Sequence, residues 1–166
     1  MISAMVETRT LEPEEWEFWD TWMRAQRLLT RELERGLQHD CDISKAEFSV
    51  LVTLWRAPGR EMRVVELSES LAWEKSRVSH QLTRMESRGL VEPTQSGAGG
   101  RRTGIGLTAK GRQAAQSAIL GHGGNIRRYF LDSLTPEQAA VIRGWSEQVV
   151  ERIEPRGGEV AGGGAP

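Results

Sequence analysis

The stretch WEKSRVSHQLTRMESRGLV, from Trp73 to Val91, constrains the fold of this chain more than any other segment. Val78, Leu82 and Met85 recur at helical spacing, so they form an apolar stripe that must be buried against a core. The opposite face carries short hydroxyl side chains, a histidine and arginines. Gly89 stands where a residue in the left-handed conformation would end a helix. The segment therefore predicts an amphipathic helix with one buried face and one polar, cation-bearing face.

The residues before this helix predict two more helices. Ser44 followed by Glu47 is a capping box, which favours a helix from Lys45 to about Arg56. A short segment at Glu61–Arg63 suits an extended conformation, and Val64–Leu71 suits a small helix. In this order the elements form a helix-turn-helix pattern, with the Trp73–Val91 segment as its last helix.

A β-hairpin is predicted directly after that helix. Leu90–Thr94 suits a short strand, Ser96–Gly104 a flexible tip with two arginines, and Ile105–Leu107 the returning strand. A hairpin in this position is a wing. Arg88, at the end of the preceding helix, is interpreted as a cation that interacts with the helix dipole.

Long helices are predicted on both sides of this region. The helix from Glu12 to about Gln38 carries so many aromatic and aliphatic side chains that a partner surface for a second copy of the chain is favoured over packing on its own domain. Thr108 is predicted to cap a further helix, interrupted by glycines at Gly121–Gly124, and Pro136 to begin a last helix that ends near Ile153.

The predicted fold is therefore mainly α with a small β wing: a winged helix-turn-helix lobe with N- and C-terminal helices that form a dimerisation region. The predicted parts are a flexible N-terminus (1–11), a dimerisation helix and connector (12–43), a winged helix-turn-helix domain (44–107), C-terminal dimerisation helices (108–154) and a disordered tail (155–166).

The charge distribution favours nucleic acid as a partner. The net charge of the 166-residue chain is only −1, but from Arg56 to Arg112 it carries 11 Lys and Arg against 6 Asp and Glu. A basic centre between acidic ends is a local electrostatic footprint for a polyanion.

Other classes of protein are disfavoured. No nucleophile elbow, phosphate loop or metal-ligand spacing is present, so neither an enzyme nor a bound metal or cofactor is predicted. Cys41 is the single cysteine, and the neighbouring Asp40 and Asp42 should raise its pKa, which argues against a redox sensor. No apolar run of about 18 residues and no leader pattern occur, so we expect a cytoplasmic protein without membrane contact.

Together these segments resemble the MarR family of dimeric winged-helix transcription regulators, from about Trp16 to Ile153. The matching stretches are ISKAEFSVLVTLWRAPGREMRVVELSESLAWEKSRVSHQLTRMESRGLVE, RRTGIGLTAKG and FLDSLTPEQ. The family's wing commonly carries Asp-x-Arg before its second strand. Here Arg101 is present, but Gly99 stands at the position of the acid, so the wing arginine lacks its usual support.

The polar face of the Trp73–Val91 helix supplies the candidate contacts with double-stranded DNA. Arg77 and His80 suit base edges in the major groove, and Ser76 and Ser79 suit base edges or phosphates. Lys75 and Arg84 suit phosphates, and the resemblance implies that the wing arginine enters the minor groove. The predicted DNA-binding residues are Lys75, Ser76, Arg77, Ser79, His80, Arg84, Arg101 and Arg102.

The resemblance also implies how such a chain works. We expect a homodimeric regulator, in the first place a repressor, on a near-palindromic operator of roughly 16–20 base pairs. A small aromatic ligand would bind between the dimerisation helices and the DNA-binding lobe, with Trp16, Trp19, His39, Trp55 and His122 as candidate lining residues. Core or interface packing is the simpler interpretation of each. The alternative function is a winged-helix protein-interaction module without specific DNA binding.

Overall fold

A computed structural model describes residues 10–95 and 104–154 of the chain. The predictions for residues 1–9, for the tail at 155–166 and for the wing tip with Gly99, Arg101 and Arg102 lie outside the described residues. The helices are α1 (Pro13–Cys41), α2 (Lys45–Arg56), α3 (Val64–Leu71), α4 (Lys75–Ser87), α5 (Ala109–Tyr129) and α6 (Pro136–Ile153). The strands are β1 (Glu61–Arg63), β2 (Val91–Thr94) and β3 (Gly104–Leu107), and short 3-10 turns lie at Pro58–Arg60 and Leu131–Ser133.

The helix starts follow the capping signals in the sequence. Ser44 Oγ accepts a hydrogen bond from Glu47 N (3.2 Å), while Glu47 Oε2 accepts one from Ser44 N (2.9 Å), so the predicted capping box of α2 is confirmed. Thr108 Oγ1 accepts a hydrogen bond from Gly111 N (2.9 Å) at the start of α5, also as predicted. Each cap satisfies a backbone N–H that a helix start leaves without a partner.

The three strands form one antiparallel sheet in the order β1-β3-β2. β2 and β3 are the predicted hairpin, with Val91 opposite Leu107 and Thr94 opposite Gly104. β1 adds a third strand, in which Met62 lies opposite Ile105. All of β3 is buried because it lies between the other two strands.

The chain divides into two compact units, Met1–Ile126 and Arg127–Pro166. The first contains α1–α4, the sheet, most of α5 and the hydrophobic core. The second contains the end of α5, the second 3-10 turn and α6, whose Thr135 cap and first-position Pro136 are as predicted. The core residues of the first unit are Leu37, Ile43, Val50, Leu51, Leu54, Leu67, Val78, Leu82, Met85, Leu90, Val91, Ile105, Leu107, Ala115 and Ala118.

The predicted interruption of the helix at Gly121–Gly124 is wrong, because α5 is continuous from Ala109 to Tyr129. Each glycine costs a helix interior about 1 kcal/mol, but the first two residues of this stretch contact other helices. Gly121 lies against Cys41 of α1, and the ring of His122 lies 4.7 Å from that of Phe48 of α2, centroid to centroid. These contacts offset the low helix propensity.

No helix among the described residues is long and apolar enough to cross a lipid bilayer.

Candidate nucleic-acid interface

Helix α4 buries one face and exposes the other. Val78, Leu82 and Met85 are buried in the core, which confirms the predicted apolar stripe, and Gln81 is buried beside them. The opposite face is polar and exposed, and it carries all the candidate contacts that the sequence placed on this helix. The exposed residues of the helix are Lys75, Ser76, Arg77, Ser79, His80, Thr83, Arg84, Glu86 and Ser87.

The helix begins at Lys75, two residues later than the sequence suggested. Ala72 ends α3 in the left-handed conformation (φ 51°). The chain then folds back so that Ser68 Oγ donates to Trp73 O (2.6 Å) and Trp73 N donates to Ser68 O (3.0 Å). These bonds hold Trp73 in the turn between α3 and α4. The turn is the reason that Trp73 is not helical.

The first turn of α4 is a suitable anion site. It contains no acidic residue, and the side chain of Glu74, which precedes it, does not cap it. Among the described residues, the N–H groups of Lys75, Ser76 and Arg77 therefore have no acceptor, and the positive end of the helix dipole adds to their attraction for a phosphate.

The hydroxyl groups of α4 fall into two classes. Thr83 Oγ1 donates to Ser79 O (3.0 Å) and Ser87 Oγ donates to Arg84 O (2.7 Å), so these protons are used inside the helix. Within residues 10–95 and 104–154, the hydroxyls of Ser76 and Ser79 make no such bond. The hydroxyls of Ser76 and Ser79 therefore remain able to donate to a ligand.

Within the part of the chain that the structure describes, Arg77 is the one cation of this face that lies on an aromatic ring. Its guanidinium carbon is 4.1 Å from the centroid of the Trp73 ring. A planar cation stacked in this way has fewer accessible rotamers than a free one, so its donors are already oriented. In the described part of the chain, Lys75, His80 and Arg84 make no ion pair.

Sequence reasoning missed the residue that anchors α4. Arg88 Nη1 donates to Glu47 Oε1 (2.7 Å), and Nη2 donates to the backbone oxygen (2.8 Å) and Oδ2 (2.7 Å) of Asp42. Its interpretation as a simple dipole cation is therefore incomplete. No local signal pointed to these contacts, because the partners lie more than forty residues away in the sequence.

The environment of Glu47 explains why this carboxylate stays charged. Burial alone would raise its pKa, but hydrogen bonds from Ser44 and Arg88, together with the charge of Arg88, outweigh burial and lower the pKa below its ordinary value. A buried carboxylate paired in this way holds its partner firmly.

The candidate ligand residues do not all meet in one chain. Trp16 and Trp19 lie near the start of α1, whereas His39 lies near its end, about 35 Å from Trp16 along the helix. His39 Nδ1 is 2.9 Å from Asp40 Oδ1 at the surface. The ring of Trp55 on α2 is covered by the guanidinium of Arg60 at 3.7 Å. Trp16 and His39 therefore cannot line one cavity within a single chain.

His122 is the least ordinary of these five residues. Its ring packs on Phe48, and its Nδ1 is buried with no hydrogen-bond partner. Burial lowers the pKa of this imidazole. The ring is therefore neutral near pH 7, and its Nδ1 is a polar atom without a hydrogen bond inside an apolar contact.

Cys41 is half-buried at the end of α1. Burial, and then the charge of Asp40, raise the pKa of its thiol. The direction is the one that the sequence predicted, although burial contributes more than the flanking acids. Among the described residues, no group of His, Cys, Asp and Glu is arranged to hold a metal ion.

Comparison with known proteins identifies this architecture. The MarR family model matches residues 43–102. The transcriptional regulator HosA of Escherichia coli is 33% identical over 102 residues, which cover 61% of this chain and 73% of HosA. AbsC, a MarR family transcriptional regulator from Streptomyces coelicolor, is 32% identical, with a TM-score of 0.76 over 89% of this chain and 99% of AbsC. Sco3205, a MarR family regulator of the same organism solved in complex with DNA, is 30% identical, with a TM-score of 0.78 over 91% and 94% of the two chains. The chain belongs to the MarR family of transcriptional regulators.

Proposed function

We propose that this chain is a homodimeric repressor that binds a near-palindromic operator in double-stranded DNA. The observation that carries the proposal is the exposed face of α4. That face combines cations, donor hydroxyls and an uncapped helix start on a helix whose other face is fixed in the core. Such a helix fits the major groove, which is wide enough to admit it. The DNA complex of Sco3205 supports this use of the fold.

The side chains divide by chemistry into two groups. Arg77 presents two parallel donors that match guanine O6 and N7, and His80 one turn away reaches the same groove. Lys75 and Arg84 neutralise phosphates and add affinity without sequence information. Ser76 and Ser79 contact base edges or phosphates. The wing residues Arg101 and Arg102 belong to the proposed minor-groove contact.

The proposed parts of the chain are a DNA-binding domain at 44–107 and dimerisation helices at 12–43 and 108–154. Exposed apolar side chains, which occur in both units of the chain, support the proposed dimer. On α1, Trp16 and Phe18 are 52% and 74% exposed, and on α6, Val141 and Ile153 are 71% and 73% exposed. Apolar surface of this extent on a single chain marks a partner surface. Two reading helices about 34–36 Å apart would contact a site of roughly 16–20 base pairs.

A small aromatic acid is the proposed effector that releases the DNA. His122 supports this part, because its buried Nδ1 has no partner and lies beside the Phe48 ring. A hydrogen bond to such an atom, together with stacking on the ring, would stabilise a bound aromatic carboxylate. Benzoate and hydroxybenzoates are suitable probes: release of bound operator by these compounds, weakened in His122→Leu, is the expected result.

The function is tested by selecting bound duplexes from a random DNA pool and measuring their affinity at several salt concentrations. We expect an enriched palindromic sequence, much weaker binding of unrelated DNA, and affinity that falls with salt at a slope near −0.9 per phosphate neutralised. Equal affinity for selected and unrelated DNA would instead favour a winged-helix protein-interaction module. Transcription in vitro from a template carrying the operator distinguishes repression from activation.

A further inference from the structure

The C-terminal end of α4 is joined to α1 and α2 through one side chain. Arg88 follows the last residue of α4, and its two terminal nitrogens are 2.7 Å from carboxylate oxygens of Glu47 and Asp42. Glu47 lies in the first turn of α2, and Asp42 is the residue that ends α1. One guanidinium therefore connects the ends of three helices.

These contacts need the planar geometry of arginine. Glu47 is almost fully buried, and its second oxygen is used by the backbone N–H of Ser44. Its first oxygen, Oε1, accepts a hydrogen bond from Arg88 Nη1. Asp42 accepts two hydrogen bonds from Arg88 Nη2, one through its carboxylate and one through its backbone oxygen. A lysine ammonium has the charge but not the fixed fork that spans such acceptors.

The same end of α4 is held from another side by α5. Lys110 Nζ donates to Arg88 O (2.7 Å), and Thr108 Oγ1 donates to Gly89 O (2.7 Å). A Cβ at Gly111 would lie 1.8 Å from Leu90 O, so the two backbones are in direct contact. The end of the helix is therefore fixed between α1 and α2 on one side and α5 on the other.

The opposite end of α4 carries the proposed base contacts. The helix has 13 residues and is about 20 Å long, so a tilt of about 10° around Arg88 moves Lys75 by about 3 Å. The rise of one base pair is about 3.4 Å. A small change in the direction of α4 therefore misplaces its reading face by nearly one base pair.

We infer that Arg88 is a positioning residue that fixes the direction of α4 relative to α1, and thereby the spacing of the two half-sites that a dimer binds. Arg88 is assigned to positioning rather than to a phosphate, because its charge is paired with two carboxylates and three of its five N–H donors are already used. Since spacing matters only when two copies bind one duplex, this inference rests on the function proposed above.

Two variants weaken the connection without leaving a buried charge unpaired. Asp42→Asn removes the charge at α1 but keeps a side chain that tolerates the left-handed backbone of this residue (φ 52°). The pair Arg88→Gln and Glu47→Gln replaces the buried ion pair by neutral amides. Asp42 is largely exposed, so its variant stays folded even where the double variant does not. Thermal unfolding by circular dichroism checks both.

The test measures the affinity of full-length protein for duplexes whose two selected half-sites are moved apart one base pair at a time, and for a single half-site. Wild type should prefer one spacing by about tenfold over its neighbours. Both variants should reduce that preference to about twofold or shift it to another spacing, while single half-site affinity changes by less than about twofold.

Arg84→Gln is the matched control, because Arg84 lies on the same helix but is exposed and makes no ion pair within residues 10–95 and 104–154. It should lower affinity by the same factor at every spacing. If Asp42→Asn and the double variant do the same, or leave the profile unchanged, the inference is overturned and the proposed function stands. A wild-type profile without any preferred spacing would overturn both.

Discussion

The guanidinium carbon of Arg77 lies 4.1 Å from the centroid of the Trp73 ring, so the first arginine of α4 rests on the turn that precedes the helix. The turn itself is fixed by two hydrogen bonds between Ser68 and Trp73. The proposed base-reading arginine is thus supported by a residue that lies in the turn of the helix-turn-helix and packs against the core.

Replacing Trp73 by leucine should reduce sequence discrimination. An exposed cation–π contact contributes about 0.5–1 kcal/mol. The preference for the selected operator over a duplex altered at the base pair that Arg77 is proposed to read should therefore fall about two- to fivefold. Trp73→Phe keeps a ring and should retain most of the preference. Fluorescence anisotropy with both duplexes measures the ratio.

A double-mutant cycle separates this effect from a general loss of structure. In an Arg77→Ala background, Trp73→Leu should have no further effect on discrimination, because its partner is gone. An equal loss of affinity for both duplexes in the single variant would show that Trp73 acts only through packing.

Two glycines of α5 should respond to alanine in opposite directions. Gly111→Ala places a Cβ against Leu90 O at 1.8 Å, which forces the backbones apart and should lower the free energy of unfolding by about 3 kcal/mol. Gly123 has no atom within 4 Å of the corresponding position, so Gly123→Ala should raise it by up to about 1 kcal/mol. Urea unfolding of the two variants measures both, and similar effects would contradict the close contact at Gly111.

The elements with strong local signals were predictable from the sequence. Ser44 and Glu47 specify the start of α2 through two reciprocal hydrogen bonds within a segment of four residues. The spacing of Val78, Leu82 and Met85 specifies the buried face of α4, and therefore which side chains remain exposed. Local chemistry determines these features, so reading them requires no knowledge of the tertiary contacts.

The features that depend on distant residues were not predictable. Arg88 contacts Glu47 across 41 positions and Asp42 across 46, and a cation near a helix end gives no hint of such partners. The continuity of α5 through Gly121–Gly124 likewise depends on packing against α1 and α2, which overrides helix propensity. The predicted length of α1 already placed Trp16 and His39 far apart along the helix. The two residues can belong to one ligand site only if a second chain brings them together.

Alanine substitutions at Arg77 and Arg84 should have different effects on DNA binding, one on sequence discrimination and the other on affinity for any duplex. Arg84→Ala removes a proposed phosphate contact, so affinity should fall for all duplexes and the slope of log affinity against log salt should become shallower by about 1. Arg77→Ala should cost about 1–3 kcal/mol of discrimination at one base pair per half-site. Salt titrations with the selected operator and an altered one distinguish them. Identical behaviour of the two variants would mean that Arg77 does not read bases.

A charge on the exposed apolar face of α1 should break the proposed dimer. Trp19 is about half exposed in the single chain, and a two-fold interface would bury it twice. Trp19→Glu should therefore shift the protein from dimer to monomer and weaken operator binding. Arg24→Glu places a glutamate at an exposed polar position about 140° from Trp19 and about 120° from Phe18 around the helix, and it serves as the control. Sedimentation velocity gives the oligomeric state, and an unchanged dimer in Trp19→Glu would place the interface elsewhere.

The stability of the protein should depend on pH through His122. Burial lowers the pKa of this imidazole in the folded state, whereas the unfolded chain has the ordinary value of about 6.5. Well above about pH 6.5 neither state binds the proton, and His122 costs the folded state no stability. As the pH falls below this value, the unfolded chain takes up the proton first, so the folded state loses stability until the pH reaches its own lower pKa.

The melting temperature should therefore fall between about pH 7.5 and pH 5.5, and His122→Phe should remove most of this slope, since phenylalanine keeps an aromatic contact with Phe48 but binds no proton. Glu47 also makes the folded state more stable near neutral pH, because its pKa is lowered in the folded state. This contribution to stability is lost only when the pH falls below 4.5, the ordinary pKa of a glutamate. The two effects thus occupy separate parts of the pH range. A slope in His122→Phe equal to that of wild type would assign the dependence to another group, and thermal unfolding at closely spaced pH values decides between them.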